Sequence, residues 1–139
     1  MVLFRFKISL IKKSSSNHSR KSKFNEKITK SLKLGIASLI DSSHLNTALV
    51  IGKELQKRGH QITYYGFIDT QEKVLKAGLK FCPIAEEEYP LDTYSKYQEK
   101  VSQVVGYSAQ KLTNEYNNNQ VITYLSYFPD IIKSDNLDG

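Results

Sequence analysis

The side chains best suited to proton transfer in this 139-residue chain are a histidine and an aspartate, each placed by its sequence context at the end of a strand. His44 stands in IDSSHLNTAL, between an apolar run and a segment with helical periodicity. Asp135 ends PDIIKSD, whose pattern predicts a short strand. A neutral imidazole takes a proton from a hydroxyl group, and a neighbouring carboxylate fixes its tautomer. These residues predict a general base, His44, oriented by Asp135.

Strand-like and helix-like segments alternate around these two residues. LKLGIASLI, QITYYGF, LKFCPI and PDIIKSD have the composition of buried strands. Apolar residues recur at helical spacing after the first strand, and Gly59 is the expected end of that helix. Asp69 and Glu72 have the spacing of a capping box for a second helix. Residues 94–127 are expected to be largely helical, with a break at the asparagines 117–119.

This order of elements predicts an α/β fold, a Rossmann-like parallel sheet with helices on both faces. Ligands of such sheets bind beyond the carboxyl ends of the strands, where DSSHLN, GFIDT and AEEEYPLDTY are expected. The first and fourth strands can be neighbours in such a sheet. His44 and Asp135 can then meet although they are far apart in sequence.

The excess of positive charge is confined to the first thirty residues. The net charge is +6, but residues 1–30 carry nine Lys or Arg and one acid, whereas residues 31–139 carry eleven basic and thirteen acidic residues. We interpret residues 1–30 as a disordered basic extension and residues 31–139 as the folded domain. Arg5 and Lys7 interrupt the apolar start of the extension, so no stable membrane span is expected. The lone Cys82 excludes an intramolecular disulfide and favours a cytoplasmic location.

From about Leu32 to Gly139 the chain resembles the amino-terminal half of a family-1 nucleotide-sugar-dependent glycosyltransferase of the two-domain GT-B type. This family includes bacterial macrolide and carotenoid glycosyltransferases and plant and animal UDP-glycosyltransferases. The resemblance is carried by the SHLN loop, by ELQKRGHQIT, and by FIDTQEKVLKAGLKFCPI with its acidic continuation. Ser43 and Thr47 depart from the family pattern, which has glycine and proline at these positions.

The resemblance implies an inverting hexosyltransferase in which His44 deprotonates the acceptor hydroxyl and Asp135 pairs with His44. On the acceptor side it implies binding residues, for which the candidates are Ser43, Asn46, Phe67, Asp69 and Tyr89. The pattern around Phe67 favours a core aromatic side chain over an acceptor contact, and Glu86, Glu87 and Glu88 favour a solvated loop, with the YPLDTY segment that follows as a candidate border of the acceptor pocket. No metal and no other cofactor is implied.

The resemblance also implies that the co-substrate is a nucleotide sugar, a UDP- or dTDP-sugar, bound by a carboxy-terminal donor domain. Residues 31–139 then form a partial acceptor-binding domain without that donor domain, and we expect the fragment to be inactive alone. The expected partners are a small, lipophilic acceptor and a separate donor-domain chain. The alternative is a non-catalytic acceptor-binding or partner subunit. Nucleic-acid binding through residues 1–30 is a third hypothesis, disfavoured by the slightly acidic domain.

Overall fold

A computed structural model describes residues 31–138 as a mixed α/β fold with a parallel sheet. The sheet has three strands in the order β1-β2-β3, which are β1 (Lys33–Ile36), β2 (Gln61–Gly66) and β3 (Lys80–Pro83). Its helices are α1 (Ser42–Lys57), α2 (Gln71–Lys76), α3 (Thr93–Ser102) and α4 (Tyr107–Ser134), with a short 3-10 turn at Ile68–Thr70. The disordered extension predicted for residues 1–30 lies outside the described residues. The three predicted strands before the acidic loop are confirmed, and so is the end of the first helix at Gly59, which has φ 88°.

The sheet is covered on both faces because its strands are apolar on both sides. One core cluster joins the sheet to α1 and α2 and contains Ile36, Leu45, Ala48, Ile62, Tyr64, Val74 and Leu79. The other joins the sheet to the acidic loop and α4 and contains Ala37, Ile40, Tyr65, Phe67, Ile84, Ala85, Tyr89 and Tyr124. Both clusters reach the carboxyl ends of β1 and β2. The segment between β1 and α1 is therefore packed from both sides.

The fourth strand predicted over PDIIKSD is wrong, because these residues form the end of α4 and Asp135 is its C-cap. Pro129 lies inside this helix and costs about 3 kcal/mol there. Tyr124, Phe128 and Ile131, on either side of Pro129, are spaced along one face of the helix and pack in the second core cluster. Full burial of a large apolar side chain contributes roughly 1.5–3 kcal/mol, and here Tyr124 is buried while Phe128 and Ile131 are partly buried, so the packing of this face offsets the proline.

The break in the helical region also differs from the prediction. Residues 117–119 lie inside α4, and the chain leaves the helix between α3 and α4 at residues 103–106. Val105 and Gly106 are exposed there, and the φ of 61° at Gly106 favours glycine. The asparagines continue the helix because their neighbours Tyr116 and Gln120 face the core.

After α4 the chain reaches the outer edge of β1. The backbone N–H of Asp138 donates to the carbonyl oxygen of Lys33 over 2.8 Å, and the N–H of Lys33 donates to Oδ2 of Asp138 over 3.0 Å. The neighbour of β1 on this side is thus the end of the described chain. None of the helices within residues 31–138 combines the length and the apolarity needed to cross a membrane.

Candidate functional site

The first turn of α1 holds a carboxylate and an imidazole in direct contact. Asp41 is the N-cap of α1, and its Oδ1 accepts from the backbone N–H groups of Ser43 (3.1 Å) and His44 (3.2 Å). Oδ2 of Asp41 lies 2.5 Å from Nδ1 of His44. Aspartate is favoured at this position because its oxygens satisfy amides that have no partner within the helix. The cap that starts the helix therefore also holds the histidine ring; below, these two residues are called the Asp41–His44 pair.

The contact defines which ring nitrogen can act as a base. Partial burial raises the pKa of Asp41, but hydrogen bonds from Ser43 and His44 outweigh it, so the pKa lies below its ordinary value. Asp41 is therefore ionised at neutral pH, and its Oδ2 accepts a hydrogen bond from the Nδ1–H group of the ring. In the neutral imidazole the lone pair then resides on Nε2, which makes no hydrogen bond within residues 31–138. The His44 side chain is 44% exposed.

Asp135 does not provide the carboxylate that contacts His44. It accepts a short hydrogen bond from the hydroxyl group of Tyr65 on β2, and its other oxygen lies 3.3 Å from the hydroxyl of Ser134. Burial and this carboxylate both raise the pKa of Tyr65 above its ordinary value. The predicted pairing of His44 with Asp135 is therefore replaced by a local one, because the segment expected as a fourth strand is helical.

Ser43 belongs to the site as a partner of the carboxylate. Its hydroxyl group donates to Oδ1 of Asp41 over 2.5 Å and lies 3.4 Å from Nδ1 of His44. Ser43 is not among the described non-glycine residues with positive φ, so serine fits its backbone conformation. Thr47, which stands where the family pattern has proline, donates its hydroxyl to the carbonyl oxygen of Ser43 over 2.9 Å. Asn46 is exposed on α1, one turn away from Ser42.

The other three candidates for acceptor binding, Phe67, Asp69 and Tyr89, make contacts within the fold. Phe67 is fully buried, and its ring stacks on that of Tyr89 with 4.2 Å between centroids. Both oxygens of Asp69 accept backbone N–H groups, from Asp92 (2.7 Å) and Tyr94 (2.8 Å), at the start of α3. The capping box predicted for α2 is therefore wrong, because the Asp69 carboxylate stabilises the start of a different helix.

Sequence reasoning missed the residue that completes the site and the residues that hold it. Asp41 carried a local signal, since an acid three residues before a histidine at a helix start can reach it around one turn. Gln120 and Tyr124 carried none. Oε1 of Gln120 accepts the N–H of Ile40 (3.0 Å), and the Tyr124 hydroxyl donates to the carbonyl oxygen of Ser38 (2.9 Å).

No protein-family model matches this chain, and none of the curated proteins is significantly similar to it. Within residues 31–138 no group of three or more His, Cys, Asp or Glu side chains is arranged to hold a metal ion.

Proposed function

We propose that the chain is the acceptor side of an inverting glycosyltransferase and that His44 is its general base. The observation that carries the proposal is the 2.5 Å contact between Nδ1 of His44 and Oδ2 of Asp41 beyond the carboxyl end of β1. It leaves Nε2 as the proton acceptor on an exposed ring. The same end of an α/β sheet is where ligands bind in folds of this class.

In the proposed reaction, Nε2 of His44 removes the proton of the acceptor hydroxyl group. The electron pair of that oxygen forms a bond to the anomeric carbon of the sugar as the bond from that carbon to the diphosphate oxygen breaks. The nucleoside diphosphate leaves with the bonding electrons, and the anomeric configuration is inverted. Asp41 stabilises the imidazolium that forms, a role that the prediction gave to Asp135.

The fold assignment that accompanies this proposal is the incomplete amino-terminal half of a GT-B fold. Three parallel strands with helices on both faces support it. A UDP- or dTDP-sugar would be bound by a donor domain outside residues 1–139, in the same polypeptide or in a separate one. Positioning the donor sugar over Nε2 of His44 would be the task of that domain.

A non-catalytic acceptor-binding subunit is the second candidate, and one observation favours it. Within residues 31–138, the hydrogen bonds of the Asp41 and His44 side chains are all made within one helical turn, and those of Asp41 also cap α1. A protein without catalytic activity can keep such contacts for helix stability alone. Activity measurements therefore have to separate capping from proton transfer.

The test is sugar transfer from UDP- or dTDP-sugars to a panel of lipophilic alcohols, assayed with the full chain together with its donor domain. His44→Ala is compared with Lys53→Ala, an exposed position further along α1. Removal of a general base lowers kcat by about 10²–10⁴-fold, whereas the Lys53 variant is expected to keep the wild-type rate. Equal rates for wild type and His44→Ala, with acceptor binding intact, would leave the binding subunit as the function.

A further inference from the structure

Three buried hydrogen bonds fix the segment that carries the Asp41–His44 pair. This segment, residues 37–41, connects β1 to α1 and is called the β1–α1 loop. Tyr124 on α4 donates to the carbonyl oxygen of Ser38, and the hydroxyl groups of Ser38 and Tyr64 lie 2.8 Å apart. Gln120 on α4 accepts from the N–H of Ile40. The loop is therefore fixed by residues from a neighbouring strand and from a helix about 80 positions away in sequence.

If Gln120 served packing alone, it would lower the stability of the folded state relative to an apolar residue at this position. Its side chain is fully buried, and Nε2 has no hydrogen-bond partner within residues 31–138. An unpaired buried amide nitrogen opposes folding, and a leucine would pack there without it. The feature that leucine lacks is Oε1, which accepts the N–H of the residue directly before Asp41.

We infer that Gln120 is a positioning residue that sets the orientation of the Asp41–His44 pair from α4. Ile40 is adjacent to Asp41, so a shift of its backbone moves the N-cap, and the N-cap carboxylate holds Nδ1 of His44. Gln120 acts through the loop and makes no hydrogen bond to the histidine ring. The consequence for sugar transfer rests on the proposed function, whereas the effect on the ring does not.

Tyr116 provides a matched control on the same helix. It lies one turn before Gln120, and its hydroxyl oxygen is also buried without a hydrogen-bond partner in the described part of the chain. Its ring stacks on Tyr97 with 3.9 Å between centroids, a contact that phenylalanine preserves. Tyr116→Phe therefore removes an unpaired polar atom from α4 without changing the β1–α1 loop.

The experiment records the ring-nitrogen NMR signals of His44 in the full chain at a pH where the ring is neutral. Wild type is expected to show one tautomer, with the proton on Nδ1. In Gln120→Leu a mixture of tautomers is expected, so the Nδ1 and Nε2 signals move towards each other, and Tyr116→Phe is expected to match wild type. Tyr124→Phe, which removes only the bond to Ser38, is expected to show the same change as Gln120→Leu. If circular dichroism shows Gln120→Leu to be unfolded, Gln120→Met replaces it at similar length.

Unchanged His44 signals in the folded Gln120 variant would overturn the inference. In the transfer assay, misplacement of the base is expected to lower kcat by about 10–100-fold while KM for the acceptor stays constant. The two proposals fail separately. If His44→Ala transfers sugar at the wild-type rate, the proposed function fails, and the ring signals still decide the role of Gln120. If transfer depends on His44 but the Gln120 variant keeps both the wild-type kcat and the wild-type signals, only the positioning role fails.

Discussion

Replacing Asp41 by alanine and by asparagine separates its two roles. Alanine removes the acceptor for the N–H groups of Ser43 and His44 together with the contact to Nδ1. Loss of an N-cap costs about 1 kcal/mol, which corresponds to roughly 4–8 °C in Tm for a domain of up to about 100 residues. Asparagine caps helices about as well as aspartate, so its expected cost is roughly the 0.3–1 kcal/mol for the charge lost at the helix start; alanine loses this charge in addition to the cap.

The two variants are expected to differ in stability but to have the same effect on His44. Alanine supplies no side-chain acceptor for Nδ1, and asparagine supplies only a neutral amide. The tautomer of His44 is therefore not fixed in either variant. Both variants are therefore expected to lose transfer activity by about 10²-fold or more, although alanine lowers Tm more than asparagine does. The assays are thermal unfolding by circular dichroism and sugar transfer at saturating acceptor. Wild-type transfer by Asp41→Asn would refute the reasoning and reduce Asp41 to a helix cap.

The difference in stability between wild type and Asp41→Asn is expected to depend on pH. The hydrogen bonds to Asp41 leave its pKa below the ordinary value of 3.8, so the unfolded chain binds this proton more readily than the folded one. The stability that the ionised carboxylate contributes is therefore complete above that value and is lost as the pH falls through the lower, folded-state pKa. Wild type is expected to exceed Asp41→Asn in stability at pH 7, and the difference is expected to shrink below about pH 4. A constant difference down to pH 2 would contradict this.

Three further predictions concern the packing around the site. Tyr65→Phe leaves the Asp135 carboxylate without its hydroxyl donor and is expected to cost about 1–3 kcal/mol in urea unfolding. Gly52→Ala places a Cβ 2.7 Å from Cδ1 of Leu79, and the overpacking is expected to cost about 1–3 kcal/mol in the same assay. Burial raises the pKa of Tyr64 to about 12, so stability is expected to fall between pH 10 and pH 12, and less steeply in Tyr64→Phe.

Each of these has a clear contrary result. Wild-type stability of Tyr65→Phe would mean that the Asp135 carboxylate does not depend on the tyrosine hydroxyl. A stabilised Gly52→Ala would mean that α1 can move away from Leu79 without loss. Identical alkaline unfolding of wild type and Tyr64→Phe would assign the loss of stability to another group.

The sheet and α1 could be predicted because their signals are local. Aliphatic and β-branched runs mark β1 and β2, and an apolar period of 3.6 ending at Gly59 marks α1. The end of α4 could not be predicted in this way, because PDIIKSD is a short apolar run that suits a strand or a helix equally. The choice is made by the packing of Tyr124 and its neighbours against a sheet formed much earlier in the chain.

The residues of the candidate site also include some that the local sequence predicts and others that it does not. His44 was predicted from its place between a strand and a helix, and the structure puts it there. The Asp135 partner was predicted from a strand that does not form, whereas the acid three residues before His44 contacts the ring. Gln120 could not be found from sequence, because nothing near it in the chain indicates that its carbonyl oxygen meets Ile40.

The measurement that tests the central claim most directly is the tautomer of His44 in the unmodified full chain, read from its ring-nitrogen NMR signals when the ring is neutral. The claim is that Asp41 holds Nδ1 and leaves Nε2 as the proton acceptor. It predicts a proton on Nδ1 and an unprotonated Nε2. A proton on Nε2, or the averaged signals of a freely exchanging imidazole, would contradict it and would remove the basis for His44 as the base.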